Sequence, residues 1–506
     1  MRILFIDPPF KNVLSDKYTP NCGYLYMAAY LKSNGYGDIK VLDAHALGMD
    51  WKGAAKFIKD FNPDIVATSS VTADIYRRMH LMRIIKELSP SVITVMGGYH
   101  ASMLPEDVLR VSEDTDYVVI GEGEHTFLEL VKGIENNAAK EEMKMIKGLG
   151  YLEDGDFIYT GSRPLIKDLS ELSLPDYSLI PMDKYQAFEF PGNPGEGIAV
   201  NFSRGCFHKC VFCPQPPMWQ NTIRSRKVRD MIGEISLLHK TYSKNNFIFS
   251  DNDFLYDRQR NIGFLEELRA SKIGIKYSIM TRAENVIRNS DLLPELVSLG
   301  LIMVRVGVES FSQGLLDELK KSQTISEINA AFGYLKRSKI PIINAFIIWG
   351  NYGESRGHFL EICRDMRRLG ANHLTHSFLT PFPGTELYND LNKRNIIKNP
   401  DFRCYNFFQP VLATRRLSCR SLFFLQVLLH FIWCYWPERV FGNLFNKYRR
   451  HLQFYYYPRI SFNLLKLFVK KIFSFFKKDP YARYYLRSKE YYRLQSGDQR
   501  FGEKGR

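Results

Sequence analysis

Cys206, Cys210 and Cys213 stand within eight residues, in Ser203-Arg204-Gly205-Cys206-Phe207-His208-Lys209-Cys210-Val211-Phe212-Cys213-Pro214. Thiolates are soft ligands that suit zinc and iron–sulfur centres, so three this close can serve one inorganic site. A closed structural zinc site wants a fourth protein ligand. None follows at a regular spacing. His208 lies inside the loop and could serve zinc, though a solvent-facing ring is the reading preferred, and Cys363, Cys404, Cys419 and Cys434 are scattered like packing thiols. An incomplete shell suits an iron–sulfur cluster that keeps one iron open for an exchangeable ligand. Eight cysteines in 506 residues are too few for a disulfide scaffold, so metal ligation in a reducing cytoplasm is expected.

A strand must deliver that loop. Apolar runs at 198–202, 246–250, 276–280, 303–308, 343–348 and 373–379 alternate with helical patterns at 228–242, 258–271, 290–299, 326–338 and 355–369. Six such units predict a partial (β/α)6 barrel whose reacting groups gather at the carboxyl ends of its strands. The first third shows a separate alternation, with strands expected at 3–6, 39–42, 65–68, 92–96 and 117–120, and helices at 23–33, 51–61, 75–88 and 124–134. This is the pattern of a parallel, doubly wound, flavodoxin-like α/β domain. After its strands come Asp7-Pro8-Pro9, Asp43-Ala44-His45, Ser69-Ser70-Val71-Thr72, Gly97-Gly98-Tyr99-His100 and Gly121-Glu122-Gly123-Glu124. Each loop alone is ordinary turn chemistry, but the five together mark the edge where open α/β sheets bind ligands. The expected organisation is 1–140 for this domain, a proline-bearing linker at 141–197, the barrel at 198–402 and a helical region at 403–506.

The C-x3-C-x2-C spacing after a strand, with aromatic Phe212 before the last cysteine, resembles the signature of the radical S-adenosylmethionine (radical SAM) enzymes. That resemblance implies a 4Fe-4S cluster on Cys206, Cys210 and Cys213, with S-adenosylmethionine on the open iron, cleaved by one electron to a 5′-deoxyadenosyl radical. An external donor of the flavodoxin or ferredoxin type is implied with it. Phe247-Ile248-Phe249-Ser250-Asp251-Asn252-Asp253-Phe254, Gly307-Val308-Glu309-Ser310, Phe346-Ile347-Ile348-Trp349-Gly350 and Leu379-Thr380-Pro381-Phe382-Pro383-Gly384-Thr385-Glu386 resemble strand ends of the cobalamin-associated branch. The resemblance implies S-adenosylmethionine contacts from Asp251, Arg282, Glu309 and Gly350; Asp251 and Glu309 would equally serve as helix caps or ion-pair partners. Tyr352 replaces the usual proline before Gly353.

The first domain resembles the cobalamin-binding domain found ahead of such barrels, and the two resemblances cover residues 1 to about 390. Ser69, Ser70, Thr72, Gly97, Gly98, Gly121, Glu122 and Gly123 would then surround the nucleotide tail of cobalamin. Asp43-Ala44-His45-Ala46-Leu47-Gly48 spells D-x-H-x-x-G, a cobalt-ligating motif of some cobalamin enzymes, yet it follows the second strand rather than the first. The expectation is a corrinoid held without a protein histidine.

Corrinoid and radical generator together suggest a C-methyltransferase acting on an unactivated carbon. An oxidative cyclase or hydroxylase would use the same parts, and an iron–sulfur and corrinoid sensor docking on membranes is the non-enzymatic alternative. The formal charge of +15 is uneven: residues 403–506 hold 21 Lys and Arg against 5 Asp and Glu, which leaves 1–402 at −1. Residues 421–436, SLFFLQVLLHFIWCYW, are short of the ~20 apolar residues that span a bilayer. Residues 461–478 mix apolar and Lys positions like an interfacial helix, and Tyr455-Tyr456-Tyr457, Tyr484-Tyr485 and Tyr491-Tyr492 suit a headgroup layer. Helices packed on the barrel with a solvated basic face are the plainer alternative. Interleaved Arg and Tyr also suit RNA, but no nucleic-acid module is recognisable. With no export signal pattern at the start, the expected location is cytoplasmic, peripheral on the membrane face, with a hydrophobic substrate such as an isoprenoid, other lipid or tetrapyrrole.

Overall fold

A computed structural model describes residues 1–10, 20–188, 190–191, 194–397, 401–473, 481 and 484–490, with backbone alone at 467–473. Strands β1 (Ile3–Asp7), β2 (Ile39–Asp43), β3 (Ile65–Ser69), β4 (Ile93–Gly97) and β5 (Tyr117–Val119) form a parallel sheet in the order β2-β1-β3-β4-β5. Apolar side chains from both sheet faces enter separate cores, as a parallel sheet covered on both sides requires. Strand order reverses between β1 and β3, which opens a crevice at the carboxyl ends. The doubly wound domain is as expected.

Two further strands, β6 (Leu149–Glu153) and β7 (Asp156–Tyr159), continue the sheet antiparallel beyond β5. The reading of 141–197 as linker is corrected for this stretch. Asp154 and Gly155 take φ of 51° and 89°, the paired positive values of a primed two-residue hairpin turn. An Asp-Gly pair is a hairpin signal, and the prolines that follow outweighed it.

The second domain begins with β8 (Gly197–Val200). A small antiparallel hairpin follows, β9 (Ser203–Gly205) with β10 (Ile223–Ser225), and was not expected. Gly205 has φ 96°, and a Cβ there would lie 2.1 Å from the Thr222 carbonyl oxygen, so the hairpin closes only on glycine. Next come β11 (Asn246–Phe249), β12 (Lys276–Thr281), β13 (Leu301–Glu309), β14 (Ile342–Trp349) and β15 (His373–Phe378). They join β8 in an all-parallel open sheet, β8-β11-β12-β13-β14-β15, curled into a partial barrel. Helices between the strands are punctuated by local signals. Asp257 caps Arg258–Ser271, Thr324 and Glu327 form a capping box on Ile325–Arg337, and Gly370 ends Arg356–Leu369 in the left-handed conformation.

Beyond the barrel the chain returns to the first domain. Phe382, Tyr388, Phe402, Tyr405, Val411 and Tyr484 share one apolar core with Ile75, Tyr76, Met79 and Met82. The headgroup-layer reading of the tyrosines is therefore corrected for two of them. Tyr484 is buried in that core, and Tyr457 is buried with its hydroxyl 2.9 Å from His373 Nδ1. Residues 474–478 and Tyr491-Tyr492 lie outside the described residues.

Helix Cys419–Tyr435 packs Leu422, Leu429 and Trp433 into the barrel core and leaves Phe424, Leu428, Phe431 and Tyr435 exposed. Spacings of four, three and four put these four on one stripe. Among the described residues no single helix is long and apolar enough to cross a membrane; Cys419–Tyr435 with Pro437–Leu444, bent by 44°, passes that test only as a pair.

The barrel core centres on Phe249, stacked on Tyr277 at 5.0 Å and packed edge-on against Phe202 and Phe264. Phe249→Ala should cost about 3–5 kcal/mol in urea unfolding. A loss under about 1 kcal/mol would show that this cluster is not central to stability.

Candidate active site

The cysteine loop leaves β9 and is gripped at its middle. Val211 N–H donates to Leu319 O at 3.1 Å and its carbonyl accepts from Leu387 N–H at 3.0 Å, while its side chain packs with Leu319, Leu379 and Leu391. Asn252 Nδ2 donates to Gly205 O at 3.0 Å, fixing the entrance. All three thiols are free, Cys210 buried and the other two partly so. Among the described residues no three His, Cys, Asp or Glu side chains converge on a single ion position. Cys206 and Cys210 act on Cys213 beside burial in opposing its ionisation, so the three thiols lie close enough to serve one cluster in which each cysteine meets a different iron. Burial pushes the Cys206 thiol up and that of Cys213 to about 12, so cluster uptake must release protons.

Arg282, at the end of β12, places Nη1 3.8 Å from Cys210 Sγ, with Nε 2.5 Å from Glu284 Oε1 and Nη2 on the Lys321 carbonyl. The guanidinium therefore fixes positive charge beside the cysteine loop. Glu309 ends β13 with φ 63° and meets Lys321 Nζ at 2.7 Å, both buried. A Cβ on Gly307 would lie 2.6 Å from that carboxylate. Gly350, φ 84° after β14, donates its N–H to Glu354 at 2.6 Å. Arg282, Glu309 and Gly350 thus occupy adjacent strand ends. Asp251 is more deeply placed. It accepts from Ser203 Oγ and, at 3.4 Å, from Phe202 N–H, with Arg260 3.7 Å away, so it secures the strand that enters the cysteine loop. His208 differs from expectation. Its ring packs on Phe207, which turns Nε2 toward Glu284 at 3.7 Å and Asp253 at 3.8 Å.

In the first domain, Gly98 (φ 85°) lies so close to the β3 loop that a Cβ would sit 2.5 Å from Ser69 Oγ and 2.6 Å from Ser70 N. Ser70 bonds the Gly97 carbonyl through both N–H (2.8 Å) and Oγ (2.9 Å), and Thr72 Oγ1 is 3.3 Å from His100 Nδ1. Gly121 (φ 83°) faces open space, and Gly123 abuts Met27. These small residues let the β3 and β4 loops close on each other and leave bare backbone at Gly121, after β5. Glu122 leaves that set: its carboxylate turns to Arg204 Nη1 (2.7 Å), Arg224 Nη1 (2.9 Å) and Ile166 N–H (2.9 Å), because two guanidiniums of the β9–β10 hairpin lie within reach. Glu124 takes the other arm of Arg204 at 2.6 Å. His45 Nδ1 is 2.5 Å from the Phe10 carbonyl, on the edge-strand side of the sheet and away from the Ser69–Gly98 cradle.

Sequence reasoning missed Tyr99. Its hydroxyl donates to the Pro383 carbonyl, and its ionisation is opposed by burial and then by Cys213, so it stands between the glycine cradle and the cysteine loop. Met103 adds a contact at Gly384. Arg204 and Arg224, also missed, were masked by motif-adjacent positions with no pattern of their own.

A doubly wound domain whose strand-end loops meet a half-barrel bearing three free thiols defines an enzyme class with a ligand-binding domain ahead of a metal-cluster barrel. Residues 14–131 match the family model described as B12 binding domain, and 200–389 match that of the Radical SAM superfamily. An anaerobic magnesium-protoporphyrin IX monomethyl ester cyclase of Rubrivivax gelatinosus is 30% identical over 81% of this chain and 73% of its own length. An uncharacterised methyltransferase of Pyrococcus horikoshii is 29% identical over 83% and 90%. The cobalamin-dependent S-adenosylmethionine radical enzyme OxsB, solved with aqua-cobalamin and S-adenosylmethionine bound, shares the fold with a TM-score of 0.70 at 15% identity, over 98% of this chain and 75% of OxsB. The chain belongs to the cobalamin-binding radical SAM enzymes, whose cofactors are a 4Fe-4S cluster, S-adenosylmethionine and cobalamin.

Replacing Cys206, Cys210 or Cys213 by Ala should abolish bound iron and sulfide and the iron–sulfur absorption of protein reconstituted with iron and sulfide alone, while leaving its far-ultraviolet circular dichroism unchanged; retention of a full cluster in any of them would remove that residue from the ligand set. Glu122 is opposed by burial but held below its ordinary value of 4.5 by Arg204 and Arg224, so its contribution is complete above that pH and disappears as pH falls through the lowered value. Glu122→Gln should cost about 3 kcal/mol at pH 7, the low end for a broken buried pair because Glu124 still holds Arg204. The gap from wild type should close in melts at acid pH; a gap independent of pH would contradict an ionic origin.

Proposed function

We propose that this enzyme is a C-methyltransferase acting on an unactivated carbon of a hydrophobic small molecule, a lipid, isoprenoid or tetrapyrrole. The observation that carries the reading is the direct apposition of the two cofactor edges, through Tyr99 on Pro383 and Glu122 on Arg204. When bound, the cluster and S-adenosylmethionine supply a carbon-centred radical by one-electron cleavage, and the corrinoid supplies a methyl group. The chain's own residues do the rest. Cys206, Cys210 and Cys213 hold the cluster, and Arg282 holds positive charge beside it. Asp251 fixes the loop entrance, and Glu309, Gly307 and Gly350 leave a strand-end shelf whose polar groups suit an amino group and ribose hydroxyls. The close approach of Gly98 to Ser69 and Ser70 and the open face at Gly121 suit the loops of a domain that takes a bulky tail at its strand ends. An external electron donor of flavodoxin or ferredoxin type completes the system.

A second reading, oxidative cyclisation or hydroxylation, is favoured by the likeness to the cyclase. Attachment to the membrane surface belongs to the proposal as well, supported by the exposed stripe Phe424, Leu428, Phe431 and Tyr435 and by the basic surplus after residue 402.

Anaerobic reconstitution with iron, sulfide, cobalamin, S-adenosylmethionine and a low-potential reductant, incubated with a total lipid extract, separates the readings. Methyl transfer should yield S-adenosylhomocysteine and a product heavier by one methylene. 5′-Deoxyadenosine with an oxygenated or cyclised product and no S-adenosylhomocysteine would replace it by the second reading.

A further inference from the structure

Two adjoining clefts open at the amino-terminal face of the barrel, opposite the strand ends that carry the cysteines. One, of about 240 Å³, is lined by Arg367, Arg439 and Arg449 with Trp433 and Trp436; the other, of about 420 Å³, by Lys336, Lys339 and Arg449, and both share Asn372. Five cations face one carboxylate, Glu438 at the rim. None of the five has an ion-pair partner among the described residues. Arg439 Nη2 donates to Ala371 O at 3.2 Å and stacks on Trp433 at 3.4 Å, Arg449 Nε donates to Pro341 O at 2.9 Å, and Arg367 stacks on Trp436 at 3.6 Å. Each guanidinium has five N–H donors, so most of that capacity is left over. Burial lowers Arg439 to about 10, the mark of a cation held without an opposing charge.

The plainer account is that cations favour helix carboxyl ends. It covers Lys336, Arg367 and Arg449, which stand in the last turns of their helices. It fails for Arg439, in the first turn of Pro437–Leu444, where the helix end favours the opposite sign. Apolar rings are exposed on the same helices. Phe441, on the helix that supplies Arg439, and Phe445, just after it, are 66% and 91% exposed, and Phe431 and Tyr435 are exposed on the helix that supplies Trp433. Unpaired cations behind protruding aromatic rings are complementary to an acidic headgroup and the acyl layer beneath it.

We propose that this double cleft seats the phosphate of an anionic phospholipid while Phe431, Phe441 and Phe445 enter the bilayer interface. Arg367 and Arg449 would hold the phosphate oxygens by charge-assisted bonds, with Lys336 and Lys339 as a second ring of charge. The inference rests on the membrane attachment proposed above and gives it a defined site. It also orients the enzyme, with the barrel's amino-terminal face to the membrane.

The test uses full-length protein and vesicles of phosphatidylcholine with or without phosphatidylglycerol. Arg367→Gln with Arg449→Gln should weaken partitioning to the acidic vesicles roughly fivefold per charge removed and leave the neutral ones unaffected. Phe441→Ser with Phe445→Ser should weaken binding to both. If the double Arg variant fails to fold, the exposed pair Lys336→Gln and Lys339→Gln carries the same expectation. Wild-type affinity for acidic vesicles in a folded cation variant, with loss in the Phe variant, would overturn the headgroup site and leave membrane attachment standing. No wild-type binding to either vesicle would overturn both. Calorimetric binding of inorganic phosphate, lost in the cation variant and unaccompanied by vesicle binding, would replace the lipid by a soluble phosphate ligand.

Discussion

The Glu122 carboxylate is the constraint on which the rest of the molecule turns. One buried acid accepts from Arg204 and Arg224 on the two strands of a hairpin and from the Ile166 backbone, while Glu124 takes the remaining arm of Arg204. Such a pair gains little over apolar packing when intact, but it is directional, and direction is what a two-cofactor enzyme needs. Arg204 lies two residues before Cys206, and Glu122 lies between the glycines of the β5 loop. The β5 loop of the first domain and the entrance to the cysteine loop are therefore tied directly to each other through side chains.

Much of this was legible in the sequence, for physical reasons. Parallel strands buried on both faces read as apolar runs, and every such run in the two domains became a strand within one or two residues of expectation. The cysteine spacing is local, so it survives reading in one dimension. What was not legible is long-range or disguised. Glu122 in a glycine-rich turn looks like part of a ligand loop; only the fold reveals that a hairpin eighty to a hundred residues away claims it. Asp251 looks like a strand-end ligand residue and is occupied by Ser203. The β6–β7 hairpin was hidden in a proline-bearing segment despite its Asp154-Gly155 turn.

Composition misled most in the tail. Aromatic residues interleaved with arginine suggest a surface layer, yet Tyr457 and Tyr484 are core residues and Phe441 and Phe445 are not. Helix Cys419–Tyr435 explains the ambiguity. It is apolar on both sides, one spent on the barrel and one left outward, and hydropathy along the chain cannot separate the two.

The return of Phe382, Tyr388, Phe402, Tyr405 and Val411 into the core of the first domain bears on how molecules enter and leave. Phe402, Tyr405 and Val411 are buried among side chains of helix Ile75–Leu88, so the barrel is laced to its neighbour by its own continuation. A clamshell motion would have to strip these side chains into water, at roughly 1.5–3 kcal/mol for each large one. Opening of that kind is closed to the enzyme in ordinary turnover. Traffic of substrate and spent cosubstrate must pass through the rims of loops, around a frame that stays shut.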